Sequence, residues 1–337
     1  MTDPIGIGVA GFWHVHADDY ARDATEHPAT RVVAGWDPDP VRRREGAERL
    51  GVPAVDDLDA LLAHPDVDAI TVTTATDEHT DVIGRALAAG VPVFTEKLLA
   101  PTVAECEALI ESSRAQAAPL VVSLPRLTEP LTVTITQLID DGALGDVTYA
   151  RVRMAHDGWL GGWLPERFAD PVAAIGGAFA DLGCHPAYLV QRMLGAAPEA
   201  ITAAYGHVTG RAVEDNAVVT ARYANGAVGV AEASFTTTPG AFAVEVRGTE
   251  ASLLYGYGRE ELIAKGGGFG AEWTPVPLAP AQPTPFELWV DAVRGVADAA
   301  DTAANLQAAI DLTGFVVAAN RAAAEGATVT IDTGGTA

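Results

Sequence analysis

Two short stretches carry residues whose types and spacing could do chemistry. Gly176–Leu189, GGAFADLGCHPAYL, places Asp181 and His185 four residues apart behind a pair of glycines. On a helical turn i and i+4 share a face, so the carboxylate could orient the imidazole and set its proton affinity. Pro186 cannot lie deep inside a continuous helix and is expected as the first residue of a second helical piece running to Leu194. That break would put His185 at a helix N-terminus, where the positive dipole end disfavours imidazolium. A buried histidine satisfied by a nearby Asp, for structure only, is the alternative. The second stretch is Phe94-Thr95-Glu96-Lys97, at the end of an apolar run. A lysine at the carboxyl end of a strand lies beside the crevice where open α/β sheets bind ligands. There it could donate to a substrate oxygen or a nicotinamide ribose; a Glu–Lys surface pair is the bland reading.

The elements that must position these groups follow from periodicity. Pro4–Gly11 reads as a buried strand, His14–His27 as a helix, and Arg31–Trp36 as a second strand stopping at Asp37. This βαβ unit implies a parallel sheet. The alternation runs on through a helix opened by a Thr102–Glu105 capping pair to Leu120–Ser123, giving six strand-like pieces and a doubly wound sheet. A literal G-x-G-x-x-G at Gly6, Gly8 and Gly11 falls largely inside the first strand. The turn that could meet a nucleotide is Gly11-Phe12-Trp13-His14-Val15-His16, in which only the first position is glycine. Asp37 lies 21 residues beyond His16, where an acidic side chain takes adenosine ribose hydroxyls. It also reads as an N-cap before Pro38. Arg42, Arg43 and Arg44 are expected to point away from it, on a later turn of the helix that Pro38 and Pro40 start.

After Arg126 the pattern changes. Asp146–Met154 alternates like a half-buried strand. Ala217–Ala224, Asn225-Gly226 and Ala227–Phe235 read as a hairpin with a type I′ turn. Further short strands predict an open antiparallel sheet. Trp159 and Trp163 sit in a Gly-rich loop, where exposed rings could stack on a sugar, although Trp is more often core. Phe286–Val296 and Leu306–Glu325 read as amphipathic helices. The division falls near Leu124–Leu127, giving domains of 1–124 and 125–337.

The bulk numbers exclude several classes. A formal charge of -24 over 337 residues repels phosphate backbones and anionic lipid, so neither nucleic acid nor membrane is expected as a partner. The two cysteines, Cys106 and Cys184, lack metal-site spacing, and no metal is expected. The N-terminus lacks a signal-peptide pattern, and no run of about 18 apolar residues occurs, so a cytoplasmic protein is expected.

Three segments together resemble the glucose–fructose oxidoreductase / inositol dehydrogenase (Gfo/Idh/MocA) family. GVAGFWHVHA resembles its glycine loop. TTATDEHTDVIGRALAAGVPVFTEKLLAPT resembles its Thr-Pro-Asn-x-x-His segment, helix end and Glu-Lys-Pro. GGAFADLGCHPAYLVQRMLG resembles its Gly-rich Asp-x-x-x-His segment. The resemblance implies a Rossmann doubly wound parallel sheet, then an α+β domain with an open, mainly antiparallel sheet that mediates a homodimer or homotetramer. By residue, it implies that Lys97 binds substrate hydroxyl and cofactor, that Asp181 and His185 are the substrate-binding and acid–base pair, and that Glu96 lies near the nicotinamide ribose. Asp37 becomes the ribose acid, Thr74 and His79 the loop beside the cofactor, and Gly11, Phe12, Trp13 and His14 the glycine-loop positions. Arg126 and Trp163 are substrate-contact candidates.

Two departures stand out. Leu98 replaces the family's proline, so a cis bond after Lys97 is not expected. Trp13 stands where a glycine lets backbone approach the pyrophosphate, although a loop with its amides still free could bind it. The expected activity is NAD-dependent oxidation of a sugar or cyclic polyol. His185 is the base, Lys97 stabilises the alkoxide and Asp181 orients His185. The rivals are glycoside cleavage by transient sugar oxidation with tightly held NAD, and a non-catalytic ligand sensor.

Overall fold

A computed structural model describes residues 3–195 and 197–331. In chain order the helices and strands are β1 (Ile5–Ala10), α1 (Ala17–Glu26), β2 (Thr30–Trp36), α2 (Pro40–Leu50), α3 (Leu58–Leu62), β3 (Ala69–Val72), α4 (His79–Ala88), β4 (Val93–Thr95), α5 (Val103–Gln116) and β5 (Leu120–Val122). There follow α6 (Pro130–Asp140), β6 (Val147–Ala155), α7 (Cys184–Leu194), β7 (Ala200–Gly206), β8 (Asn216–Arg222), β9 (Val228–Ser234), β10 (Ala241–Gly248), β11 (Ala251–Tyr255), β12 (Ile263–Gly266) and β13 (Thr274–Pro275). The series ends with α8 (Pro285–Val293), α9 (Ala299–Glu325) and β14 (Val329–Thr330).

The chain forms two compact units. One is Met1–Leu124 with Pro283–Thr313; the other is Pro125–Gln282 with Gly314–Ala337. The expected second domain, 125–337, is therefore interrupted. The reason is apolar. Phe286 and Trp289 on α8 join Ile7, Phe94 and Val121 of the first sheet in one buried cluster. Burying such a side chain is worth about 1.5–3 kcal/mol. A Thr284–Glu287 capping box with Pro285 behind it starts α8 where that contact needs it. On α9, the Asn305 amide bonds both the N–H and the carbonyl of Val122, at 2.9 Å each, satisfying the exposed edge of β5.

The first sheet is wholly parallel, in the order β2-β1-β3-β4-β5. It has five strands, not six; Ala54 makes only an isolated bridge to Gly35. The reversal of strand order beside β1 leaves the carboxyl ends of β1 and β3 as the place for a ligand.

The second unit holds a nine-stranded sheet, β13-β12-β11-β10-β6-β9-β8-β7-β14, antiparallel except at β6–β9. Helix α7 packs on β6 and β9. Gly229 permits the approach, since a Cβ there would collide with Val190 of α7. The β8–β9 hairpin does not use a type I′ turn. Gly226 alone has positive φ, +86°, and the Tyr223 amide bonds the Ala227 carbonyl at 3.0 Å, so the loop has three residues with glycine in the left-handed position.

Helix α9 departs from the expectation of no span. It is long and apolar enough, by length and composition only, to cross a membrane, because alanine raises its hydropathy. Leu306, Leu312, Phe315 and Val316 on it are buried, and Asn305 and Asn320 hydrogen-bond to protein, which is the behaviour of a core helix.

Candidate functional site

In the first unit the groups cluster where β1, β3 and β4 end. The β1–α1 turn is closed on itself. Gly11 N–H donates to Trp36 O at 2.7 Å, Phe12 N–H to the Asp37 carboxylate at 2.6 Å, and Trp13 and His14 N–H to Thr73 O at 3.2 and 3.0 Å. The amides at these four positions are thus engaged within the protein, contrary to a loop that keeps them free. The cause is Gly11, whose φ of +101° folds the turn against Thr73 and Thr74. The Phe12 ring packs inward over Gly35 and Gly46.

Asp37 is fully buried. It accepts hydrogen bonds from the Phe12 and Asp39 amides and pairs with Arg42, Nη2 to Oδ1, at 2.9 Å. Two expectations change here. The N-cap of α2 is Asp39, which accepts from the Val41 and Arg42 amides, and Arg42 folds back onto Asp37 instead of pointing away. An uncompensated buried carboxylate would be costly, so the nearest guanidinium is drawn in.

At the end of β4, Glu96 and Lys97 are 1% and 4% exposed, and Lys97 Nζ lies 3.3 Å from Glu96 Oε1. His16 Nδ1 is 3.0 Å from Glu96 Oε2, and Tyr20 donates its hydroxyl to the same oxygen. Burial would raise the Glu96 carboxyl, but His14, Lys97 and His16 together hold it well below the ordinary value. Tyr20 is pushed well above its ordinary value by burial and by Glu96, so it stays a donor. The Lys97–Leu98 bond is cis, against expectation. Leu98 is buried, and its carbonyl is 2.7 Å from His79 Nδ1. Burial lowers His79 to about 4, against the pull of that carbonyl and of Glu96. The Thr74 hydroxyl is buried without a hydrogen-bond partner at the end of β3.

In the second unit Asp181 lies in a π-helical turn, Phe179–Gly183, that runs directly into α7. Turns of this type are rare and gather at functional sites. His185 is the second residue of α7 and Pro186 the third, so there is no fresh helix N-terminus at His185. His185 is buried, and its Nδ1 is 2.8 Å from the Tyr188 hydroxyl one turn on. The Tyr188 oxygen also accepts the Arg126 N–H at 3.3 Å. Burial raises Tyr188 well above its ordinary value, so it too remains protonated. The Arg126 guanidinium lies 3.0 Å from Glu129 and over the Phe242 ring at 4.3 Å. Trp163 is 54% exposed, with its Nε1 bonded to Asp157 at 3.1 Å. Its ring is 4.7 Å from His156, whose pKa burial lowers while Asp181 and Asp157 oppose that.

Glu214 fixes the turn before Asp181. It accepts from Gly177 N–H at 3.1 Å and Phe179 N–H at 2.8 Å. Glu214, Tyr188, Tyr20 and His16 were not among the sequence-derived site residues. Spacing could have found two of them, since Tyr188 is i+3 from His185 and Tyr20 is i+4 from His16. Nothing in the local pattern marks Glu214.

The GFO/IDH/MocA C-terminal-domain model matches residues 132–254, and the family's model described as an oxidoreductase with an NAD-binding Rossmann fold matches 5–124. The chain belongs to the GFO/IDH/MocA oxidoreductases. Among its relatives in this family, scyllo-inositol 2-dehydrogenase (NAD(+)) of Bacillus subtilis is 28% identical over 79% of this chain and 77% of that enzyme. Inositol 2-dehydrogenase of Rhizobium meliloti is 30% identical, over 63% of this chain and only 60% of its own length. Of solved structures, GenD2 from gentamicin A biosynthesis, in complex with NAD, superposes with a TM-score of 0.81 at 26% identity, covering 98% of this chain and 97% of that one. The Azotobacter vinelandii inositol dehydrogenase homolog with NADH and myo-inositol has a TM-score of 0.79 at 24% identity, over 98% of each chain, and shares the fold.

The first unit offers groups that fit a dinucleotide: the unpartnered Thr74 hydroxyl, the buried Asp37 carboxylate and the Glu96–Lys97 pair. The amides of the glycine turn, by contrast, are engaged within the protein.

Proposed function

We propose that this chain is an NAD-dependent dehydrogenase acting on a hydroxyl of a sugar or cyclic polyol. The observation that carries this is the buried Lys97, held 3.3 Å from the Glu96 carboxylate at a strand end of a family-matched NAD-binding unit. The inositol dehydrogenases among its relatives support the substrate class. When bound, the dinucleotide supplies the hydride acceptor.

The chain's own residues handle the proton and the charge. Lys97 places an ammonium against the developing alkoxide, with Glu96 orienting it. His185 takes or returns the hydroxyl proton. The Tyr188 oxygen can donate to His185 Nδ1 or accept from it, so either ring tautomer keeps its partner and Nε2 can serve as acid or base. Asp181 binds a neighbouring hydroxyl and orients the site, and Arg126 and Trp163 are the further substrate contacts. A cytoplasmic homodimer or homotetramer, with no nucleic-acid or membrane partner, completes the reading; the charge of -24 supports the last point, since it repels phosphate backbones and anionic lipid.

A panel of sugars and inositols with NAD tests the proposal, following NADH absorbance and cleavage products together. NADH accumulating with one substrate class is the expected result. Cleavage without NADH would replace the dehydrogenase by a glycoside-cleaving enzyme, and dinucleotide binding without any turnover would replace it by a sensor.

A further inference from the structure

The turn that resembles a glycine loop carries two imidazoles, and both stand beside one buried carboxylate. His14, His16 and Glu96 each present a ligand atom, and these atoms all lie within 4.8 Å of one another. We propose that His14, His16 and Glu96 form a binding site for a divalent transition-metal ion of the Zn2+ class.

The distances suit such an ion. His16 Nδ1 is 3.0 Å and His14 Nδ1 3.9 Å from Glu96 Oε2. Around a tetrahedral centre with bonds of about 2.0–2.1 Å, neighbouring ligand atoms stand about 3.3 Å apart. One edge is therefore slightly short and the other slightly long. Both are within reach of small imidazole rotations, since the two rings lie 4.5 Å apart and are inclined at 56°. Two imidazoles and one carboxylate are the donors that borderline divalent ions take, and three protein ligands leave one position open.

The surroundings support the geometry. Tyr20 donates to Glu96 Oε2 and Lys97 stands at Oε1, so the carboxylate presents a single oxygen to both rings. His14 and Glu96 are buried, and the His16 side chain, 36% exposed, gives an entry path. Two contacts give way on binding. The proton between His16 Nδ1 and Glu96 moves to the outer ring nitrogen, and the 3.2 Å bond from the His16 amide to His14 Nδ1 is replaced. The site shares its turn and its glutamate with the proposed dinucleotide site. Metal and dinucleotide therefore exclude one another; this clause alone rests on the proposed function.

Calorimetry of the metal-free full-length chain with Zn2+, and visible absorption with Co2+, test the site. One equivalent should bind, with a Co2+ spectrum typical of fewer than six ligands. His14→Ala and His16→Ala should each weaken binding by at least about tenfold. His16→Gln, at a partly exposed position, gives the same test should the alanine variants unfold, with circular dichroism confirming the fold. Absence of binding, or affinity unchanged in folded His14→Ala and His16→Ala, overturns the site and leaves the imidazoles as partners of Glu96 only. NADH binding is measured separately on metal-free protein. If NADH binds but does not weaken Zn2+ binding, the exclusion is wrong and the metal site stands. If NADH fails to bind while Zn2+ does, the proposed function falls and the metal site again stands.

Discussion

The guanidinium of Arg42 lies 2.9 Å from the fully buried carboxylate of Asp37. The acid thought to select NAD is thus already neutralised by a neighbour five residues on. Cofactor choice becomes a property of the pair. Asp37→Ser should lower kcat/KM for NAD about tenfold, the loss of about one hydrogen bond to a charged group. It should also raise kcat/KM for NADP, because the released Arg42 can meet a 2′-phosphate. Adding Arg42→Ala should abolish that gain. If Asp37→Ser leaves the NAD/NADP ratio unchanged, the carboxylate merely closes the loop through Phe12 N–H.

Lys97→Ala and His185→Ala should each reduce kcat by roughly 10²–10⁴-fold, the usual worth of a positioned acid or base. Circular dichroism establishes that the variants fold. Near-normal turnover in either one removes that residue from the chemistry.

Tyr188→Phe keeps the ring and deletes the hydroxyl that meets His185 Nδ1 at 2.8 Å. With that hydrogen bond gone the imidazole is held less firmly, and kcat should fall about tenfold with little change in KM. The pH profile of kcat should move as well, which a purely structural role for Tyr188 would not produce. An unaltered pH profile would show that Tyr188 only fills space.

Glu214 gives a pH-dependent signature. Burial raises its carboxyl above the ordinary value near 4.5, while the amides of Phe179 and Gly177 pull the other way. For a raised carboxyl the protonated form favours the fold. Its stabilising contribution is present below about 4.5 and is lost as pH rises through the folded-state value. Glu214→Gln retains an acceptor for the two amides without the charge. Its unfolding free energy should match or exceed that of the parent at pH 7, and the advantage should shrink as pH falls towards 4.5. Glu214→Ala strands both amides and should cost about 2–3 kcal/mol near pH 4.5 and less at pH 7. A Glu214→Gln stability curve parallel to the parent's would show that folding does not raise the Glu214 carboxyl.

What the sequence revealed and what it hid have separate physical causes. The alternation from β1 to β5 was plain because every strand of a covered parallel sheet is an apolar run bounded by helices. The Asp181/His185 and Glu96/Lys97 stretches stood out because charged letters interrupt apolar ones. Contacts formed over long separations left no local trace. Glu214 meets Gly177 and Phe179 across 37 and 35 residues, and His16 meets Glu96 across 80. Arg42 was misjudged because helix position alone said outward, whereas a buried carboxylate decides where a flexible cation goes. The type I′ turn was misjudged because Asn-Gly serves a three-residue loop equally well, with only its glycine at positive φ.

The interrupted first unit also bears on how the chain is made. Synthesis runs from the N-terminus, and Ile7, Phe94 and Val121 are complete long before Phe286 and Trp289 exist. Between Leu124 and Pro283 lie the 158 residues from 125 to 282. At about 5–20 residues per second, that interval is on the order of 10 s. Throughout it, the part of the nascent parallel sheet's apolar face that Phe286, Trp289 and Val290 come to cover stays open outside the ribosome, with Tyr20 and Ala24 of α1 packed beside it. The part of the chain made first is therefore among the last to be finished, and it is the part that a ribosome-bound chaperone would have most reason to shield.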